Sequence, residues 1–176
     1  MRTASDPKVV RQAIEARLFA LSRSHDLLTR ENWESAGLRD IVQDTLEPFR
    51  AAEGRAERFV LMGENIRFPP KIALALGIVF NELATNAAKY GALSNAVGSI
   101  LVEWTKESTA EGDRLLLHWQ EKDGPFVTTP SRKGFGSRVI ERSVIHELEG
   151  TLDLDFRPDG LACTMTIPIP SVARRG

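Results

Sequence analysis

A chain of 176 residues, 42% of them hydrophobic, is long enough to bury the core of one main domain and carry an appendage. Its 23 basic and 24 acidic residues leave a net charge of -1 and no electrostatic case for a general nucleic-acid or anionic-membrane binder. The single Cys163 excludes an internal disulfide framework and a multi-cysteine zinc site. No apolar run approaches the roughly 20 residues that span a bilayer, and Met1 to Pro7 has no signal-peptide apolar region. A soluble, cytoplasmic chain is the expectation, with neither nucleic acid nor inserted membrane as partner.

In chain order, Asp6 and Pro7 cap and open a long helix running to Arg30. Its apolar positions, Val10, Ile14, Leu18, Leu21, Leu27 and Leu28, leave a face suited to pairing with a second helix, so a homodimer through this element is expected. Ser35 to Phe49 reads as a second helix, with Leu38, Ile41, Val42, Leu46 and Phe49 apolar and Pro48 near its end, and polar Ala51 to Arg58 as a linker or turn. Arg58 to Gly63 reads as a strand, with Ile66 to Phe68 as its short partner across the turn at Gly63-Glu64-Asn65. Pro69-Pro70 opens the central helix, which stops around Gly91. Strands are predicted over Ser99 to Thr105, Arg114 to Glu121, Thr151 to Arg157 and Leu161 to Pro168, with turns at Glu111-Gly112-Asp113 and Pro158-Asp159-Gly160. Between them Phe135 to Glu149 has helical spacing and ends at Gly150, a natural C′ residue. The order predicts an α+β sandwich, a mixed sheet with helices on one face, and a frayed tail over Ser171 to Gly176.

Within the central helix, Ile72, Leu76, Val79, Leu83 and Ala87 form a core stripe, and Glu82, Asn86 and Lys89 a second stripe beside it. A carboxylate, an amide and an ammonium at this spacing suit a metal-bound polyphosphate: the amide oxygen is a hard ligand for Mg²⁺, the ammonium meets phosphate charge, and the carboxylate can take a proton. The competing reading of the same residues is a solvated helix face. Glu121, at a strand end and followed closely by Gly124, can accept the exocyclic amine of adenine while glycine lets backbone approach the ring. Gly134-Phe135-Gly136 at a helix start offers unhindered backbone N–H groups to phosphate, and Lys133, Ser137 and Arg138 beside it add donors.

The wording of these segments resembles a known family. Asn81-Glu82-Leu83 through Asn86-Ala87, Lys89-Tyr90-Gly91-Ala92-Leu93-Ser94, resembles the N box of the ATP-binding domain of sensor histidine kinases, in the variant of the HWE group. Trp119-Gln120-Glu121 followed by Asp123-Gly124-Pro125 resembles that group's Trp-x-Glu form of the G1 box, and Lys133-Gly134-Phe135-Gly136 its G2 box. Phe19 to Leu28 with Trp33 resembles the second helix of the family's dimerisation and phosphoacceptor hairpin. One departure is Asn81, where the HWE group has histidine and the HisKA_2 group has asparagine. A second is the absence of any His-Arg-x-Lys-Asn phosphoacceptor motif: His25, His118 and His146 all lack those neighbours, and packing or surface roles are expected of them.

The resemblance implies a Bergerat-type fold over residues 34–170, preceded by the remnant of a dimerisation hairpin over 1–33. It implies ATP and Mg²⁺ as cofactors, Asn86 and Glu82 at the metal, Glu82 as general base or orienter of the metal's water shell, Lys89 on the phosphate charge, Tyr90 on nucleotide or lid, and Phe126 to Arg132 as a short lid; with Asp123 where the family's first glycine is expected, the adenine contact falls to Glu121 or to Asp123. Its partners would be a phosphoacceptor dimerisation domain, in cis or in trans, and a response regulator. Three classes of function stand open: a protein histidine kinase, inactive alone for want of the phosphoacceptor; a non-catalytic nucleotide-binding or dimerising module; and an anti-sigma-factor-like serine kinase of the same fold.

Overall fold

The computed structural model describes Arg11, Ile14 and residues 36–51, 56–126, 135–158 and 160–170. The long helix expected before Arg30 lies outside them, apart from helical backbone at Arg11 and Ile14, as do most of the expected lid and the tail.

The first described element is a two-residue strand, β1 (Ala36–Gly37), leading directly into helix α1 (Leu38–Arg50). Leu38, Ile41, Val42, Thr45 and Leu46 are its buried positions, a three-and-four spacing that turns one stripe inward. A short 3₁₀ turn over Ala56–Arg58 leads into β2 (Phe59–Met62), and β3 (Arg67–Phe68) follows. Helix α2 (Pro70–Lys89) begins with proline in its first turn, where the missing N–H has no helical partner to lose. The hairpin β4 (Ser99–Thr109) and β5 (Gly112–Lys122) comes next, then α3 (Phe135–Glu141), a π-helical stretch over Arg142–Glu147, and the hairpin β6 (Thr151–Arg157) and β7 (Gly160–Pro168).

Five strands form one mixed sheet in the order β2-β4-β5-β7-β6. Only β2 and β4 run parallel, from Phe59 opposite Ile100 to Met62 opposite Glu103; the other pairs are antiparallel. A parallel pair needs a crossover, and here the crossover contains α2, which is how the central helix comes to lie on the sheet. Ile100, Val102 and Trp104 on β4, Leu115, Leu117 and Trp119 on β5, and Leu161, Cys163, Met165 and Ile167 on β7 are buried on one face. Between them stand half-buried Leu101, Glu103, His118, Gln120 and Thr164 on the other, so the alternation of each strand gives the sheet a helix-covered side and an open side. The α+β layering read from the sequence is the one found.

Three local expectations are corrected. Ile66 to Phe68 does not return along β2: β3 instead pairs antiparallel with β1, Ala36 opposite Phe68 and Gly37 opposite Arg67. The turn between β2 and β3 is held away from β2 by other bonds. Leu38 N–H donates to the Ile66 carbonyl at 2.7 Å, Arg39 Nη2 to the Gly63 carbonyl at 2.7 Å, and Trp104 Nε1 to the Glu64 carbonyl at 2.7 Å, while the Arg39 guanidinium lies 5.7 Å from the centre of the Trp104 ring. The helix predicted from Ser35 therefore starts only at Leu38. The helix predicted over Phe135 to Glu149 loses α-geometry after Glu141, with Leu148 N–H reaching back to the Ser143 carbonyl at 2.8 Å. Its left-handed terminal residue is Glu149 (φ 55°), not Gly150. Gly150 is there for a different reason: a Cβ would run into the Thr166 carbonyl oxygen of β7.

Gly63 packs so closely on the Trp104 indole that a Cβ would overlap the ring. Gly63→Ala is expected to destabilise the fold by about 1–3 kcal/mol through overpacking, read as a lowered urea midpoint with an unchanged slope.

Candidate functional site

The middle of α2 is buried on every side. Phe80, Asn81, Glu82, Leu83 and Ala84 are all inside, because the sheet lies beneath and α1 and α3 pack beside it. Along the polar stripe, exposure rises step by step: Glu82 is 5% exposed, Asn86 half-buried, Lys89 and Tyr90 exposed. The expected row is therefore a path running from the core out to solvent, and the solvated-face reading does not describe Glu82.

The start of α3 closes on this path. A Cβ on Gly136 would stand 2.9 Å from Glu82 Oε2 and 3.2 Å from Asn86 Oδ1, so the glycine backbone is seated directly against those two side chains. Sequence-distant segments expected to form one site are thus brought together. Ser137 next to it is half-buried and Arg138 exposed. Lys133 and Gly134 lie outside the described residues, as does the side chain of Phe135.

Beyond Lys89 the helix unwinds with the Asn86 and Ala87 carbonyls still bonded. Tyr90 N–H donates to the Asn86 carbonyl at 2.8 Å, and Leu93 N–H to the Ala87 carbonyl at 3.0 Å. Gly91 then passes the end of β5 so tightly that a Cβ would collide with Glu121 Oε1. Glu121 is 3% exposed, with Ala92 N–H donating to Oε1 at 2.9 Å and the Trp119 indole N–H to Oε2 at 3.1 Å. Burial pushes its carboxyl above the usual carboxylate range, and the Ala92 and Trp119 bonds pull against that shift. Each oxygen has a protein donor; a carboxylate offers about four lone-pair sites, so acceptor capacity is left over.

Trp119 is a core residue, fully buried, whose N–H anchors Glu121. The signal was present: Trp and Glu at i and i+2 on a strand share one face. Asp123 is exposed and left-handed (φ 55°), and its backbone carbonyl accepts from Asn95 Nδ2 at 2.9 Å; Gly124 after it is half-buried. Asn95 and Arg58, both bonded into the 91–98 loop, were not singled out from the sequence, since their partners are backbone groups that no side-chain pattern reveals.

The remaining titratable candidates have structural positions. His118 Nδ1 lies 3.1 Å from Thr164 Oγ1 across β5 and β7, and His146 is exposed. Cys163 is buried, and desolvation with the nearby Asp153 and Glu121 charges pushes its thiol up to about 12, far from a reactive thiolate. Among the described residues no helix is long and apolar enough to cross a membrane.

Comparison with known structures defines the fold. The Erythrobacter litoralis blue-light activated histidine kinase superposes with a TM-score of 0.67 at 19% identity, over 96% of this chain and 53% of that one. The catalytic domain of histidine kinase ThkA does so with a TM-score of 0.58 at 16% identity, over 77% of this chain and 94% of that one. The fold is that of histidine kinase catalytic domains. In sequence, the chain is 36% identical over 169 residues to the blue-light-activated histidine kinase of Brucella ovis and 34% identical to that of Brucella anthropi, covering 96% of this chain in each case. Residues 1–65 match the model of the HWE histidine kinases. In both sequence comparisons the chain is similar to HWE histidine kinases, with Asn81 standing where that group has histidine. It spans about a third (34%) of the length of the Brucella relatives.

Because the Glu121 carboxyl titrates higher in the folded than in the unfolded chain, the folded state holds the extra proton between the two values. That contribution to stability is full below the unfolded value and is lost as pH rises through the folded one. Glu121→Gln is expected to remove this decline, so that from about pH 4.5 upward the parent loses stability relative to the variant. Parallel stability-against-pH curves in urea titrations would contradict it.

Proposed function

We propose that this chain is the ATP-binding catalytic portion of a sensor histidine kinase, passing the γ-phosphoryl of ATP to a histidine for relay to a response-regulator aspartate. Residues 34–170 carry the nucleotide, and residues 1–33 serve dimerisation. The observation that carries the reading is the seating of Gly136 against Glu82 and Asn86. A polyphosphate needs a backbone approach free of side chains next to hard oxygen ligands, and this pairing supplies both.

The donor set fits the metal. Asn86 presents a neutral amide oxygen and Glu82 a carboxylate, suited to a Mg²⁺ that takes most of its ligands from water and phosphate. When bound, the ion neutralises phosphate charge and aligns the transferred group. Lys89, at the exposed end of the same stripe, adds a point charge for the phosphates. Glu82, held in a 5%-exposed position, orients the water shell or takes the proton of the attacking group. At the other end, Glu121 or Asp123 accepts the adenine amine, Gly124 lets the ring approach, and Tyr90, 70% exposed, is free to lie on nucleotide or lid. Lys133, Gly134, Phe135 and Ser137 complete the phosphate end. Catalysis is then mainly positioning and charge neutralisation.

Asn86→Ala is expected to leave folding within about 0.5 kcal/mol of the parent and to weaken Mg²⁺-dependent ATP binding on the order of tenfold or more, measured by calorimetry. Equal affinity would remove the assignment. Incubation with γ-labelled ATP, Mg²⁺ and a separately supplied family dimerisation hairpin tests the reaction. Acid-labile label on the hairpin supports the kinase, acid-stable label on serine points to a serine kinase, and nucleotide binding without transfer to a nucleotide-dependent regulatory module.

A further inference from the structure

Arg58 ends the 3₁₀ turn before β2, and because β2 pairs in parallel with β4 from Phe59 opposite Ile100, its side chain lies beside the segment entering β4. There the guanidinium gathers three carbonyls of one loop. Its Nε donates to Gly98 at 2.5 Å, and its Nη2 to Ala92 at 2.6 Å and Asn95 at 2.8 Å. These carbonyls come from both ends and the middle of the same turn, and the fixed fork of donors suits them in a way an ammonium does not.

The loop so held is the one that meets β5 at its proposed adenine end. Ala92 turns its carbonyl to Arg58 and its N–H to Glu121 Oε1 at 2.9 Å. Asn95 turns its carbonyl to Arg58, its side-chain oxygen to Val97 N–H at 3.1 Å and Gly98 N–H at 2.8 Å, and its Nδ2 to the Asp123 carbonyl at 2.9 Å. Gly98 passes Ala92 so closely that a Cβ would strike the Ala92 carbonyl oxygen. The loop's contacts with Glu121 and Asp123 are thus made by Ala92 and Asn95, two residues whose carbonyls Arg58 holds.

We propose that Arg58 is a positioning residue for the adenine end of the site: by holding the carbonyls of Ala92, Asn95 and Gly98 it places the Ala92 N–H on Glu121 and the Asn95 amide on Asp123. The inference rests on the nucleotide-binding reading above. It makes Arg58 a residue that touches no nucleotide and yet sets the position of both candidate base acceptors.

The test compares the full-length parent with Arg58→Met and Arg58→Lys, measuring Mg-ATP affinity by calorimetry and, without nucleotide, the ¹H–¹⁵N indole resonances. In Arg58→Met, ATP affinity is expected to fall about tenfold, a loss in the range of charged hydrogen bonds to backbone. The Trp119 indole resonance, which reports its bond to Glu121, should move while that of Trp104 stays. Arg58→Lys, which keeps charge and stem but loses the fork, should fall about threefold with a smaller move of Trp119; if the Met variant does not fold, the Lys variant decides by the same readings. Unchanged ATP affinity, or weakened affinity with Trp119 unmoved, overturns the inference. A parent that binds no ATP instead brings down the nucleotide reading and this inference with it, and is distinguished by the parent alone.

Discussion

A single buried carboxylate joins the two halves of this domain. Glu121, at the last turn inward of β5, accepts one bond from the indole of its own strand and one from the backbone just past the end of α2. Burying a charge is costly unless it is hydrogen-bonded, so these two donors and the glycine at 91 that lets the chain come so near are conditions for one another. Where α2 ends, and which way the following loop leaves it, follow from that contact.

The central helix has to serve two purposes. Its apolar stripe fills the space between sheet and helices, and its polar stripe leads from buried Glu82 through Asn86 to exposed Lys89. A polar row buried at one end is tolerated only where something polar meets it, and the Gly136 backbone at the start of α3 does so. The α3 segment is short and passes into a π-helical stretch that keeps Ile140, Ser143, Val144 and Leu148 buried. This π-helical stretch packs against α2 and leads on to β6.

At the opposite edge, Trp104 and Arg39 tie the turn before β3 to the start of α1 and so fix how the chain enters the domain. That entry strand, β1 on β3, lies with α1 and β2 inside the stretch matched by the family model. Here Arg39, and in the 91–98 loop Arg58, bind backbone carbonyls of a glycine-bearing turn.

Much of this was legible in the residues. Period-two alternation in Leu115, Leu117 and Trp119, and three-and-four spacing along α1 and α2, are local properties of a chain that must bury one face, so the sandwich and most of its elements could be read directly. So could the grouping of Glu82, Asn86 and Gly136, through motif wording. Strand pairing could not: β3 chose β1 over β2 because of bonds from Leu38, Arg39 and Trp104. Nor could the π-turn, the left-handed Glu149 or the carbonyl-binding role of Arg58, which arise from backbone atoms shared by every residue type. Side-chain pattern determined what is buried and which chemistry is on offer; only the folded chain decided which backbone groups each polar side chain would meet, because those meetings join segments far apart in sequence.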